Sequence, residues 1–368
     1  MPKLQEIIKS STVSECIEPQ NQKRKENVDL ASGVIIQEDM NDKLSGKRIL
    51  MFSQYFFGYE NKIEQKLVEL GAETTVYDEM SVTKTFERAL LKIHPIIFAL
   101  KTEKYYKGIF NIEANHSYDY ILFIDGEMPT KHVLQECRKY FPKAKICLHM
   151  WDSLENLKGV KEKLPLFDYV TTFDRKDAEE NNLVFRPLFF CDQYRSNDLV
   201  PNSSYIYDLS FIGTIHSDRY KVISELKSTN LKLYLYPYLQ SRYIYYFYRL
   251  TREEFRQTSI NDFKFEKIES SEIAKSIENS NAILDIQHPR QSGLTIRTLE
   301  MVGMKKKIVT TNSDIKNYDF YDKNNICVID RESPNIPNEF FETPYNDIEK
   351  KVYEKYSLEQ WIYDVLGV

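Results

Sequence analysis

Patterns that hold metals or close disulfides are missing from this 368-residue chain. The five cysteines (Cys16, Cys137, Cys147, Cys191 and Cys327) form no C-x-x-C pair. An odd, dispersed set reads as reduced core thiols. The six histidines show no H-x-x-x-H or H-E-x-x-H spacing, so no metal site is expected. A basic surplus is also missing. The formal charge of −5 argues against general nucleic-acid binding, which needs a net positive footprint. No apolar run approaches the length that spans a bilayer. The N-terminus lacks the apolar core of a signal peptide, which leads to the expectation of a cytoplasmic protein.

Hydrophobic residues make up 42% of the chain and charged residues 29%. That balance fits a globular protein long enough for two full cores. Residues 1–45 are polar and weakly periodic and read as a tail or a loosely attached element. Residues 47–52 read as a strand and 53–58 as a loop. Ile63, Leu67 and Leu70 then recur at helical spacing before Gly71, and 74–77 form the next strand. Strands at 118–124, 144–150 and 169–173 alternate with helices at 131–140 and 153–163. Such alternation implies a parallel sheet covered on both faces. Its functional loops then lie at the C-terminal ends of the strands. Three polar clusters fall there: Asp125-Gly126-Glu127, Trp151-Asp152-Ser153 and Phe173-Asp174-Arg175.

Residues 192–204 are polar and turn-rich and read as a linker. A second α/β domain follows. Its strands are expected at 209–214, running into a turn at Gly213, and at 231–236, 282–286, 307–311 and 326–329. The resulting layout is a tail over 1–45, a first domain over 46–195, a second over 205–335, and a helical segment over 336–368. The last helix, 358–366, is free to pack back on the first domain.

The most informative stretch is Gln287-His288-Pro289-Arg290-Gln291-Ser292-Gly293-Leu294-Thr295-Ile296-Arg297-Thr298-Leu299-Glu300. A strand runs into a polar, Gly-containing loop that opens a helix. The first amides of a helix are unpaired and partially positive, so this arrangement suits a phosphate. Arg297 and Glu300 share a helical face. An arginine can hold a diphosphate, and a carboxylate can accept from ribose hydroxyls. The competing reading of that pair is an i,i+3 surface ion pair.

Several segments occur in a fixed order: Tyr207-Asp208-Leu209-Ser210-Phe211-Ile212-Gly213-Thr214, Asp218-Arg219-Tyr220, the Gly293 to Glu300 element, and Ile308-Val309-Thr310-Thr311-Asn312. This set resembles bacterial capsule and lipopolysaccharide glycosyltransferases of the CgeB-like and group 1 types. Trp151-Asp152-Ser153, Phe173-Asp174 and Arg186-Pro187-Leu188 extend the resemblance, which covers roughly residues 47–331. It implies a GT-B architecture, with two Rossmann-like parallel-sheet domains facing a central cleft, and a nucleotide-sugar donor held by the second domain. Carried over, Glu300 is the ribose ligand. Arg297, Gly293, Leu294 and Thr295 lie near the phosphates, and Gln291 and Ser292 of the same loop are further candidates for binding the donor. The common retaining group has two glutamates separated by seven residues. Here the earlier position is Ser292, which leaves the stereochemistry open.

Gly213 and Arg219 are further phosphate candidates, and His288 and His216 are candidates for the phosphates or the donor sugar. Transfer without a metal needs positive groups at the leaving diphosphate. An inverting enzyme also needs a base. Asp152 is the first candidate, followed by Glu127 and Asp125, and a turn or helix-cap role competes for each. Residues 234–249 mix tyrosines and arginines, which suits a membrane interface. The weightier expectation there is a helix packed by its aromatic face, with its arginines snorkelling. The function expected is sugar transfer from a nucleotide sugar to a glycan or lipid-linked acceptor in surface polysaccharide synthesis, with no further cofactor. An epimerase or hydrolase of the same fold, or a non-catalytic nucleotide-binding subunit, are the alternatives.

Overall fold

The computed structural model describes residues 43–55, 58–81, 98–196, 205–289 and 292–368. The expected tail up to residue 42, most of the expected linker, Arg290 and Gln291 lie outside these residues.

Among the described residues, the first sheet holds β1 (Arg48–Ser53), β2 (Glu73–Asp78), β3 (Tyr120–Ile124), β4 (Lys145–Met150), β5 (Tyr169–Thr172) and β6 (Val184–Phe185). They run parallel in the order β2-β1-β3-β4-β5-β6. Side chains alternate between the two faces of a strand. Leu50, Phe52, Ile121, Phe123, Ile146 and Leu148 therefore share one core, and Ile49, Met51, Leu122, Ile124 and Cys147 share the other. Helix α1 (Tyr59–Glu69) covers the second face through Ile63 and Leu67. The first face is covered by α2 (Ala99–Glu113) and α3 (Lys131–Tyr140). Helix α4 (Arg175–Asn181) follows β5 and is capped by Asp174.

Two local readings change. Residues 153–163 do not form a helix; turns lead into a short 3-10 helix, Lys161–Leu166. Gly159 sits at φ +70° and Pro165 lies within the short helix, and both oppose a regular α-helix. Helix α2 was not anticipated. It buries Thr102, Tyr106, Ile109, Phe110 and Glu113, of which Ile109 alone is aliphatic, so its aliphatic period is weak.

The second sheet holds β7 (Tyr207–Thr214), β8 (Leu233–Tyr238), β9 (Ser280–Asp285), β10 (Lys307–Thr310) and β11 (Ile326–Val328), parallel in the order β11-β10-β9-β7-β8. Its helices are α5 (Arg219–Lys227), α6 (Arg242–Thr251), α7 (Ser270–Glu278) and α8 (Ile296–Gly303). Gly213 is not in the turn. It lies inside β7 opposite Pro237 of β8, and Ser217, at φ +47°, takes the left-handed turn position.

From this sheet the chain passes through α9 (Asn338–Glu342) and α10 (Lys350–Lys355) to α11 (Leu358–Leu366). The strands of chain leaving and re-entering the first domain meet side by side. Phe190 N–H donates to the Tyr356 carbonyl (2.9 Å) and Leu358 N–H to the Phe190 carbonyl (3.0 Å). Helix α11 lies on the first domain, where its buried Leu358, Trp361, Ile362, Val365 and Leu366 join the α1 core. Trp361 Nε1 donates to His149 Nε2 (3.3 Å), and His149 Nδ1 pairs with Thr171 Oγ1 (2.8 Å).

Candidate functional site

In an open parallel sheet, ligands bind where the strand order reverses, beyond the carboxyl ends of the strands. The second sheet reverses between β7 and β9. Arg219 bridges that point: its Nε donates to the Ile286 carbonyl (2.7 Å), just past β9, and its Nη1 to the Thr214 carbonyl (3.0 Å), at the end of β7. Burial pushes the Arg219 pKa down to about 10; Asp285 opposes this, and Arg297 and Arg331 reinforce it. Arg297 and Arg331 are thus near enough for their charges to act on Arg219. Arg331 clamps Asp218 with two bonds from Nη1 (2.8 Å each) and gives Nη2 to the Gln287 carbonyl (2.7 Å). The rings of His216 and His288 face each other across the crevice, with centroids 5.7 Å apart.

Asp285 closes β9 and organises the helix behind the loop. It accepts from Thr295 Oγ1 (2.9 Å) and Thr298 Oγ1 (2.6 Å). Thr295 is the N-cap of α8, with its hydroxyl accepting from the Thr298 N–H (3.2 Å). The side chain of Leu294 is core, packed with Ile283, Leu299 and Phe190, so only its backbone could face a ligand. Asn312 Nδ2 donates to the Ser292 carbonyl (3.0 Å), tying the end of the loop to the next strand.

The first domain reaches into this loop. The buried Asp174 carboxylate accepts from Ser292 Oγ (2.7 Å), Ser292 N–H (3.3 Å) and Gly293 N–H (3.3 Å). An acidic group supplied by the opposite domain thus lies beside Ser292. The glycine at 293 has a packing cause: a Cβ there would lie 2.5 Å from the Phe173 ring. Arg175 adds an ion pair to Asp314 (3.2 Å).

Glu300 is buried, not on the surface. Arg297 Nε lies 3.7 Å from its Oε2, and the Tyr59 hydroxyl of α1 donates to its Oε1. Burial raises the Tyr59 pKa well above the ordinary phenol value and the Glu300 charge adds to it, so Tyr59 stays a donor. Tyr59 packs edge-on against Trp151 and Phe189, 6.1 Å from each ring centroid. Tyr194 also feels the Glu300 charge, after burial, and its pKa is raised.

Asp152 follows Trp151 just past the C-terminal end of β4. Asp152 Oδ1 accepts from Ser153 N–H and Asn156 Nδ2 (2.8 Å each), which is turn-capping geometry. Asp125, left-handed at φ +67°, accepts from the Trp151 N–H (2.7 Å). The Glu127 carbonyl accepts from Lys163 Nζ (2.9 Å). Behind them lies the fully buried Glu79, bonded through Oε1 to the Met128 N–H (3.1 Å). Among the described residues, no group of three or more His, Cys, Asp or Glu side chains is placed to hold a metal ion.

Sequence reasoning missed Tyr59, Asp285 and Arg331. Asp285 carried a readable signal, an acid closing an apolar strand ahead of a Gly loop. Tyr59 and Arg331 carried none, because their roles depend on contacts with residues 241 and 113 positions away.

No family model and no curated protein sequence matches the chain. Solved structures do. Anabaena HepE, determined in complex with UDP and glucose, superposes with a TM-score of 0.52 at 11% identity, over 87% of this chain and 99% of its own. A UDP-forming α,α-trehalose-phosphate synthase from Burkholderia xenovorans, determined with glucose-6-phosphate, gives 0.56 at 11% identity, over 88% and 99%. An apo structure of OtsA gives 0.55 at 10% identity, over 87% and 99%. Identities this low speak to architecture, and together with the two parallel-sheet domains they show that the chain has the GT-B fold.

Proposed function

We propose that this protein is a glycosyltransferase that moves a sugar from a nucleotide-sugar donor to a glycan or lipid-linked acceptor in surface polysaccharide synthesis of the capsule or lipopolysaccharide kind. The observation that carries the reading is the proximity of Arg297 and Arg331 to Arg219 at the β7/β9 reversal, beside the N-terminus of α8 and one helical turn from Glu300. A diphosphate suits the cationic crevice and a ribose suits the carboxylate. That similarly folded HepE binds UDP and glucose supports the same ligand class here. The cations and the helix N-terminus stabilise the leaving diphosphate, and the reaction is read as metal-independent.

In this reading Asp152, with Glu127 behind it, serves as base for the acceptor hydroxyl. Calorimetry with UDP tests the donor site. Arg297→Ala and Glu300→Gln each weaken binding by roughly tenfold, the size of a lost charge-assisted bond. Glutamine can still accept from Tyr59, so the thermal midpoint of Glu300→Gln stays close to the parent value. Unchanged affinity in both variants removes the donor-site reading. Asp152→Asn keeps an acceptor for the turn and removes the charge, so it separates chemistry from folding. Loss of transfer with intact donor binding is expected, and full activity excludes Asp152 as base.

One observation favours a second reading, a nucleotide-binding subunit without turnover. The Asp152 oxygen that is bonded is committed to its own turn. Nucleotide binding without transfer to any acceptor in a broad screen would select that reading. Sugar release or isomerisation with donor alone would select a hydrolase or epimerase.

A further inference from the structure

Helix α6 has two different faces. Tyr245 and Tyr248 are buried against Phe255 and Phe263 in the second-domain core. Tyr243, Tyr246, Phe247 and Leu250 point the other way and are 86%, 54%, 43% and 83% exposed. Their i, i+3, i+4, i+7 spacing makes one continuous stripe, whereas apolar residues on an ordinary monomer surface are scattered singly. Cations flank the stripe: Arg242 and Arg249 on the helix and Arg256 just beyond it are all exposed. Tyr246, Leu250, Arg249 and Arg256 line a shallow groove with apolar walls and two guanidinium groups. Residues 242–257 hold four arginines against Glu253 and Glu254, a local excess of two positive charges on a chain of formal charge −5.

Charge decides the occupant. A second copy of this face would bring two sets of arginines together, and like charges across an interface are unfavourable. An anionic lipid surface complements them, and tyrosine rings settle at headgroup depth. We infer that α6 lies flat on an anionic phospholipid bilayer. The stripe enters the headgroup region, and a lipid phosphate occupies the groove between Arg249 and Arg256. The helix follows the C-terminal end of β8, on the edge of the sheet that carries the candidate site. Just past its end, Arg252 donates to the Ser217 carbonyl (2.5 Å), next to His216. Docking therefore brings the bilayer beside the crevice. The inference does not rest on the donor chemistry, since it needs no nucleotide and no turnover.

The test is co-flotation of the full-length protein with phosphatidylcholine vesicles, with and without phosphatidylglycerol. The protein is expected to float with the phosphatidylglycerol vesicles and to be released as salt rises. Phe247→Ser with Leu250→Ser lowers the partition coefficient by roughly tenfold or more. Arg249→Ala with Arg256→Ala lowers it about five-fold per arginine on the anionic vesicles. All four positions are exposed, so the circular dichroism spectrum and thermal midpoint should match the parent. Failure of the parent protein to float with anionic vesicles overturns the inference, as does undiminished flotation of both double variants. A parent dimer by light scattering that becomes monomeric in Phe247→Ser with Leu250→Ser also overturns it, by making the stripe a self-association face.

Discussion

One oxygen of Glu300 already accepts from the Tyr59 hydroxyl, so a ligand hydroxyl must share that oxygen with the phenol or displace it. Tyr59→Phe removes the competitor. It should tighten UDP binding by about three- to ten-fold while costing about 1 kcal/mol of folding stability. Calorimetry and urea titration read the two effects, and an unchanged dissociation constant would mean that phenol and ligand do not compete. Glu79 allows a test by pH. Burial, followed by the charge of Asp125, raises its pKa well above the ordinary 4.5, against the opposing Met128 N–H and Lys163. A carboxyl with a raised folded pKa favours the folded state below its unfolded value, and that contribution is lost as pH climbs through the folded value. Glu79→Gln has no charge to desolvate. It should raise the thermal midpoint at about pH 7.5 by more than at about pH 4, where both side chains are neutral. Equal shifts at the two pH values would show that Glu79 is not held protonated. Neither residue stood out in the sequence, because a Tyr and a Glu in isolation say nothing about which carboxylate or amide they will meet.

At the level of elements, α11 closes the first domain with residues from the far end of the chain. Trp361 is fully buried against Phe189, with centroids 4.6 Å apart, and its indole N–H bonds His149. Trp361→Ala should cost about 3–5 kcal/mol, the range for large-to-small changes of an aromatic in a core. Chemical denaturation would show a loss near 1 kcal/mol instead if the helix docks only loosely. The 3.6-residue period of residues 358–366 made this helix readable, but its docking partner lies more than 200 positions earlier in the chain. The contrast with 153–163 is instructive: the sequence reading expects a helix there, and Gly159 and Pro165 prevailed locally. Helix α6 shows the same limit. Its tyrosines were legible as aromatic packing, and only the fold separates Tyr245 and Tyr248, which are buried, from Tyr243 and Tyr246, which are not.

Across the whole molecule, the two domains meet at the candidate site. Asp174 holds the Ser292 and Gly293 amides and caps α4, Arg175 pairs with Asp314, and Tyr59 holds Glu300. These contacts hold first-domain side chains against the loop and helix of the candidate site. Asp174→Ala leaves several donors without their acceptor, at a cost of about 1–3 kcal/mol for each one that stays buried. A lower thermal midpoint and a larger radius of gyration by small-angle scattering are the expected outcome. An unchanged radius would mean that the remaining contacts suffice to hold the domains together.

Two parallel α/β domains, most of their strands, and the strand–loop–helix ending in Arg297 and Glu300 follow from the sequence by itself. Hydrophobic period, Gly and Pro placement and capping chemistry act over a few residues and are written locally. What surrounds that element was decided by tertiary structure alone. Glu300 became a buried group bonded to Tyr59, Ser292 acquired a carboxylate from Asp174, and Arg219 became the bridge between β7 and β9. Each of those contacts joins positions tens to hundreds of residues apart. Their geometry comes from strand order and domain packing, which no local pattern encodes.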